Sequence, residues 1–343
     1  MIGRLLGGVA TSLLFSIFEA WLIRSHADAN LKHMLGKSFS WAAYGNSVIA
    51  IVAGIMANKA ANQFEMITIQ KDFIYAGGFL NPFDIALASL CLCGFFAATL
   101  WEENYGETSS SSGTNNISKG DAGKWYDGLR TALTTTMASP DIYLCGIMSS
   151  LFEGSMYIVV FMWTPALTGD DKSVKLPFGL IFSTFMVCCM AGSSMFSIQV
   201  EHYRCEQLGV AVLAVAAVSM AMVAFSSDTT MKFIAMNIFE MTVGMYFPIM
   251  GTLKGHIVPE NKRAAIYNLF RIPLNFIVLF SLLTDLTPQT SFFLNSVMLG
   301  AATISMYALM RRREMIGNLK DTDATSVDEE INLIENKHAL ESI

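Results

Sequence analysis

Charged side chains are scarce in this sequence, and that scarcity excludes an ordinary soluble domain. Asp, Glu, Lys and Arg make up 15% of the 343 residues, whereas hydrophobic residues make up 53%. A typical soluble domain carries about 25% charged residues. The formal net charge of −6 comes largely from the acidic segment after Lys320, so it says little about the apolar part. The composition indicates a membrane protein.

Histidine and cysteine are also few, and their placement argues against metal or covalent chemistry. The five histidines are scattered along the chain, with no His-Glu-His cluster, glycine-rich phosphate loop or nucleophile elbow. The six cysteines fall mostly within apolar stretches, where they behave as small apolar residues. This pattern predicts neither a metal site nor a disulfide framework. We therefore expect no enzyme activity, no cofactor and no nucleic-acid partner.

Apolar stretches account for most of the chain. Each is close to the roughly 20 residues that a helix needs to cross a hydrocarbon core of about 30 Å. They predict an all-α membrane protein with nine transmembrane helices, at about 2–22, 39–58, 82–100, 144–165, 177–200, 208–226, 233–253, 264–283 and 291–310.

The distribution of Lys and Arg predicts the orientation in the bilayer, because short loops rich in these residues stay on the cytoplasmic side. If the first span runs inward, the cytoplasmic segments hold most of the basic residues: Arg24, Lys32, Lys37, Lys119, Lys124, Arg130, Arg204, Lys254, Lys262, Arg263, Arg311, Arg312, Arg313 and Lys320. The N-terminus then faces outward and the C-terminus lies in the cytoplasm. The glycosylation sequon at Asn116 would also lie inside, where it is expected to stay unmodified.

Three of the predicted spans carry the same Phe-Glu pair. It occurs as "SIFEAW" around Glu19, "SLFEGSMY" around Glu153 and "NIFEMTVGMYFP" around Glu240. A carboxylate at membrane depth costs about 2.5 to 3.5 kcal/mol on insertion scales, so it must be paired, protonated or in contact with water. We expect the three acids to converge on one central chamber and to serve coupling or ion pairing. Secondary transporters place their solute at such a midplane site.

Arg271 is the one basic residue that the sequence places inside the membrane, away from the span ends. It shares a helical face with Asn268 and Asn275. A guanidinium offers several fixed donors, so this face is a candidate clamp for an oxyanion, with Tyr157 as a further neutral donor. An ion pair between Arg271 and one of the glutamates is the alternative. Ionised glutamates would repel a dianion, so we expect them to be protonated or paired when it binds.

Several separated blocks resemble the molybdate-anion transporter family of the major facilitator superfamily. They are "GRLLGGVATSLLFSIFEAWLI", "WEENYG", "SSLFEGSMYIVVFMWTPAL", "GLIFSTFMVCCMAGSSMF" and "GMYFPIMGTLKGHIVPENKRAAIYNLFRIPLNF". The similarity extends over about residues 2–310. It implies a major-facilitator-like fold of twelve helices in two six-helix bundles, and oxyanion uptake as the activity.

The resemblance also implies how the nine spans map onto that fold. They would correspond to helices 4 to 12 of the family, with Glu19, Glu153 and Glu240 on the fourth, seventh and tenth helices, which line its cavity. The first three helices would then lack a counterpart here. An incomplete gene model, a truncated isoform and a partner that supplies these helices are the competing explanations, and we expect the first.

The predicted organisation has four parts. Residues 1–101 form the second half of the N-terminal bundle, 102–139 a cytoplasmic linker, 140–310 the C-terminal six-helix bundle and 311–343 a cytoplasmic acidic tail. The predicted function is secondary transport of a small oxyanion, foremost molybdate, by alternating access, with proton coupling as a further hypothesis. The alternatives are a facilitator for another small solute and a non-transporting membrane scaffold or regulatory isoform.

The expected location is the lipid bilayer of the cell membrane, as a multi-pass protein. The tail stretch "EEINLI" at residues 329–334 has the acidic-dileucine form that sorting receptors bind. It makes a vacuolar or endolysosomal membrane the alternative location.

Overall fold

The fold is a helical bundle with one small hairpin. The computed structural model describes residues 2–63, 65–70, 74–102, 124–169, 176 and 178–341, and the loop with Asn116 lies outside these ranges. The described helices are α1 (Ile2–Asp28), α2 (Leu35–Gln63), α3 (Asn81–Leu100), α4 (Lys124–Ala138), α5 (Pro140–Thr168), α6 (Phe178–Gln199), α7 (Cys205–Phe225), α8 (Thr229–Ile257), α9 (Arg263–Leu283) and α10 (Pro288–Glu341). Strands β1 (Ile67–Gln70) and β2 (Ile74–Ala76) pair antiparallel between α2 and α3.

Eight of the described helices are long and apolar enough to cross a membrane, namely α2, α3 and α5 to α10. They confirm the predicted all-α membrane bundle. The predicted count of nine spans is not confirmed. Helix α1 has 27 residues but is not among the eight, so its crossing stays a prediction.

Helix α8 is longer at both ends than the apolar stretch 233–253 predicted. Its N-terminus is capped by the Asp228 side chain, which accepts hydrogen bonds from the backbone N–H groups of Thr230 and Met231. Its last turn contains Lys254 and His256, where cations interact favourably with the helix dipole. Hydropathy alone misses these polar end turns, although they are part of the helix.

The core lies among helices α5 to α10. Phe152 of α5 stacks on Tyr246 of α8 with ring centroids 3.7 Å apart, and it also stacks on Phe239 at 5.9 Å. Helix α10 is tied to the same bundle at the end predicted to be cytoplasmic. There Arg312 pairs with Asp141 of α5, and Arg313 pairs with the buried Glu206 of α7, both at 2.7 Å.

Helices α6 and α8 pack so closely at Gly192 and Gly244 that neither position has room for a Cβ atom. A Cβ atom on Gly244 would lie 1.9 Å from the carbonyl oxygen of Cys189, and one on Gly192 would lie 2.0 Å from that of Met241. Small residues permit such close backbone contact between membrane helices. The crossing therefore fixes the position of α8 against α6.

Helices α1 and α2 pack against the C-terminal bundle. Ser40 of α2 donates a hydrogen bond to the carbonyl of Ser193 in α6, and Lys37 lies 2.7 Å from Glu201. Arg24 of α1 forms an ion pair with Glu260, which lies in the short helical turn just before α9. Helix α3 has no buried residue among those described. The two halves of the described chain, α1 to α3 and α5 to α10, thus meet through α1 and α2.

Candidate functional site

A cavity of about 260 Å³ lies where α1 and α2 meet α5, α8 and α9. Four ionisable side chains line it, and they come from four different helices: Glu19 from α1, Glu153 from α5, Lys254 from α8 and Arg271 from α9. Its volume is enough for a tetrahedral oxyanion and several waters, since one water occupies about 30 Å³ of liquid. Most of the remaining wall is apolar.

Lys254 and Glu19 form an ion pair inside this cavity. The Lys254 ammonium nitrogen lies 3.3 Å from each of the two Glu19 carboxylate oxygens. The two side chains are only 12% and 18% exposed. The ring of Tyr267 covers the ammonium from another side, with its centroid 4.9 Å away. The pair joins α1 to α8, so it connects the two halves of the described chain.

Arg271 and Glu153 face the same space. The charges of Lys254, Glu19 and Arg271 all act on the Glu153 carboxylate. With every group ionised, the two cations and two acids give the cavity a formal charge of zero. The formal charges of the four side chains therefore balance each other, and any charged ligand must change that balance.

Three hydroxyl groups of the cavity wall are buried without a hydrogen-bond partner among the described residues. They belong to Ser149, Tyr246 and Tyr267. Ser149 lies beside Tyr246, and Glu19 lies beside Tyr267. A buried polar group left unsatisfied costs about 1 to 3 kcal/mol. Ordered water or a bound ligand is what commonly satisfies such groups.

Known proteins similar to this chain are transporters. A family model of the major facilitator type, described as sugar transporters with 12 transmembrane helices, matches residues 1–239. The chain belongs to this family. Its curated relatives include the molybdate-anion transporters of Xenopus tropicalis, 34% identical over 283 residues, and of Danio rerio, 30% identical over 303 residues. These matches cover 80% and 82% of the chain, and 56% and 60% of the two relatives.

The family confirms three predictions from the sequence. The resemblance to molybdate-anion transporters is confirmed, the chain is a multi-pass membrane protein, and the names of its relatives are those of transporters and not of enzymes. The chain spans less than two thirds of the length of these curated relatives.

The structure places two of the three Phe-Glu acids in the cavity. Glu19 and Glu153 line it together with Arg271, but Glu240 does not. Glu240 precedes Tyr246 by six residues on α8, which is about 9 Å toward the other end of the helix. It lies near Cys188 of α6 instead. The expected convergence of all three acids on one chamber is therefore corrected to two.

The neutral donors expected beside Arg271 do not line the cavity either. Asn268 and Asn275 are exposed. On a helical wheel they lie on one side of Arg271, whereas Tyr267 and Phe270, which do line the cavity, lie on the other. Tyr157 is half-buried one turn beyond Glu153 and contacts Phe161, with ring centroids 6.4 Å apart.

Lys254 was not predicted from the sequence as a site residue, and neither were Ser149, Tyr246 and Tyr267. The distribution of basic residues placed Lys254 in a cytoplasmic segment together with Lys262 and Arg263. In the structure it lies inside α8, paired and largely buried. A second cation therefore joins Arg271 in the cavity. The signal that could have found it is its spacing: Tyr246, Met250 and Lys254 recur every four residues on one face of α8.

Proposed function

We propose that this chain carries a small oxyanion across the membrane, with molybdate as the first candidate. The observation that supports this most strongly is the meeting of two cations, Lys254 and Arg271, with three unsatisfied hydroxyl donors in one cavity. A tetrahedral oxyanion presents acceptors in every direction, so it suits a site with converging donors. The names of the curated relatives support the same substrate class.

The roles of the individual groups follow from their chemistry. Arg271 offers a planar fork of donors that fits two oxygens of an oxyanion. Lys254 offers a compact charge with three donors. Ser149 and Tyr246 offer neutral donors from α5 and α8, whose burial lets them contribute without loss to competing water. Each of the four groups lies on a helix that helps to form the cavity wall.

The mechanism we propose is alternating access, in which the two halves rock about a central site. The cavity lies between α1 and α2 on one side and α5, α8 and α9 on the other. Movement between these two groups of helices would open it toward either face of the membrane. The two halves would have to separate along the contacts made by Glu19, Arg24 and Lys37.

Proton coupling is part of the proposal because of the cavity's charge balance. A dianion entering a site of zero formal charge leaves it at −2, and protonation of Glu153 reduces that to −1. Uptake should therefore depend on pH in the wild type. In the Glu153→Gln variant, which is neutral at every pH, this dependence should be weaker. An unchanged pH profile would give Glu153 a purely structural role.

Uptake into proteoliposomes tests the proposed function. Vesicles containing the chain should accumulate molybdate, measured by mass spectrometry, and sulfate should compete. The Arg271→Gln variant should lose at least about tenfold in uptake rate, since one charge-assisted contact contributes about 1.5 to 3 kcal/mol. The matched control is Arg311→Gln, because Arg311 is exposed and remote from the cavity. Uptake no greater than in empty vesicles would refute the proposal.

A neutral solute is the second candidate, and the description of the family model as sugar transporters favours it. The balanced charges of the empty cavity are compatible with a neutral polyol, which the acids and hydroxyls could bind. Competition separates the two candidates. Excess glucose should leave molybdate uptake unchanged if the oxyanion is the substrate. Absence of any solute uptake would instead favour the scaffold alternative.

The membrane is proposed to be the cell membrane. The tail stretch at residues 329–334 lies within α10, and it supports the alternative of an endolysosomal or vacuolar membrane. Replacing Leu333 and Ile334 by alanine tests this. If a tagged protein keeps its location after this change, the stretch at residues 329–334 does not act as a sorting signal.

A further inference from the structure

The ammonium group of Lys254 already has partners within the cavity. Both Glu19 oxygens lie 3.3 Å from its nitrogen, and the Tyr267 ring lies against it at 4.9 Å. The Lys254 side chain is only 12% exposed. An anion that takes the position beside the ammonium now held by one of these groups must replace that group.

Of the two neighbours, Glu19 is the one that an anion can replace. A carboxylate and an oxyanion occupy the same kind of position beside an ammonium, because both accept its N–H donors through oxygen. The Tyr267 ring contributes only its π face, which is a weaker contact for an exposed or partly buried cation. Glu19 also belongs to α1, from the other half of the described chain, so it can leave without unfolding the helix that carries Lys254.

We infer that Glu19 is an internal competitor of the transported anion, holding the ammonium of Lys254 until the anion displaces it. This inference rests on the proposed function, because it requires an anion to enter the cavity. Anion binding and the Glu19–Lys254 ion pair are mutually exclusive. Glu19 thus lowers the affinity of the site while it keeps a buried cation paired in the empty protein.

The displacement has a structural consequence. The Glu19–Lys254 pair and the Arg24–Glu260 pair are the ion pairs that join α1 to the C-terminal half within the described residues. The anion removes the first of them, and with it one of the contacts that hold the halves together. Loading the site therefore weakens the same interface that has to open. Substrate binding is in this way coupled to the movement of α1.

Isothermal titration of the full chain in lipid nanodiscs tests the inference, with sodium molybdate as the probe at constant ionic strength and pH. The Glu19→Gln variant keeps the shape of the side chain and removes its charge. It should bind molybdate about tenfold more tightly than the wild type, which corresponds to about 1.4 kcal/mol. The Glu19→Asp variant keeps a carboxylate but withdraws it by one methylene, so its Kd should lie between the two.

Two further variants isolate the competition. Lys254→Gln should weaken binding at least tenfold, and adding Glu19→Gln to it should then change the Kd little, because the competition needs both partners. Glu260→Gln is the matched control. It removes the other ion pair of α1, which lies outside the cavity, and should leave the Kd within about twofold. Tighter binding by this control would attribute the effect to a looser α1 and overturn the inference.

The results separate the inference from the proposed function. If neither the wild type nor Glu19→Gln binds molybdate or sulfate, the oxyanion function itself fails. If the wild type binds and both Glu19 variants keep its Kd or bind more weakly, the inference alone fails. Should Glu19→Gln not fold, the Glu19→Asp titration decides, since that variant keeps the buried Lys254 paired.

Discussion

Replacement of Gly244 by alanine should strongly destabilise the protein, because the added methyl group has no room. It would lie 1.9 Å from the carbonyl oxygen of Cys189, whereas ordinary contacts begin at about 3.4 Å. The neighbour is backbone and cannot rotate away, so α6 and α8 must separate by roughly 1.5 Å. Overpacking costs about 1 to 3 kcal/mol in well-packed cores, and a rigid clash belongs at the upper end of that range.

The measurement is thermal unfolding of the purified chain in detergent, followed by intrinsic fluorescence. A loss of about 3 kcal/mol should lower the midpoint by about 4 °C. Gly300→Ala is the matched control, since a Cβ there meets nothing within 4 Å in α10. It should keep or slightly raise the midpoint, because alanine favours a helix over glycine by about 0.5 to 1 kcal/mol. Equal midpoints for the two variants would refute the close crossing of α6 and α8.

Three further predictions concern the cavity, the interface and the orientation. Tyr246→Phe should leave the thermal midpoint of the empty protein unchanged or higher, because it removes an unsatisfied buried hydroxyl, yet weaken molybdate binding about fivefold in titrations. Lys37 lowers the pKa of the Glu201 carboxyl, so the pair should stabilise the protein above the ordinary carboxyl value of 4.5 and cease to do so as the pH falls through the lowered pKa. The midpoint difference between wild type and Glu201→Gln, measured from pH 7 downward, should shrink accordingly, and a constant difference would contradict this. Asn116 should carry no sugar when the chain is made in glycosylating cells, and a glycosidase-sensitive mass shift would reverse the predicted orientation.

The membrane helices were predictable because their signal is local and repetitive. Runs of apolar residues predicted the positions of α2, α3 and α5 to α9 to within a turn or two, and the start of α10, which continues past the predicted end at residue 310 to Glu341. The ends were harder to predict, because a capped or charged last turn is helical without being apolar. The extension of α8 to Ile257 had the largest consequence for the site. It places Lys254 within the helix and in the cavity wall, where the sequence had predicted a loop residue.

The site was only partly predictable because helical periodicity does not fix depth or partner. The presence of Glu19, Glu153 and Arg271 at membrane depth was readable from the cost of burying charge. The distance of Glu240 from the cavity was not readable from the sequence, because it depends on the position of α8 along its axis relative to α6. Asn268 and Asn275 show the same limit around the helix axis. Arg271 stands at the border between two faces, and only packing decides which face turns inward.

The charges of the cavity side chains also determine which anions the proposed site would favour. Each cation of the empty cavity already has a carboxylate within electrostatic reach, Glu19 for Lys254 and Glu153 for Arg271. A monoanion can replace only one of these charges, and it leaves the other cation as it was. A dianion can replace both, so that protonation or withdrawal of the two acids is compensated within the cavity. Under the proposed function, sulfate should therefore compete with molybdate far better than nitrate does, although nitrate is smaller and sheds its hydration shell more easily.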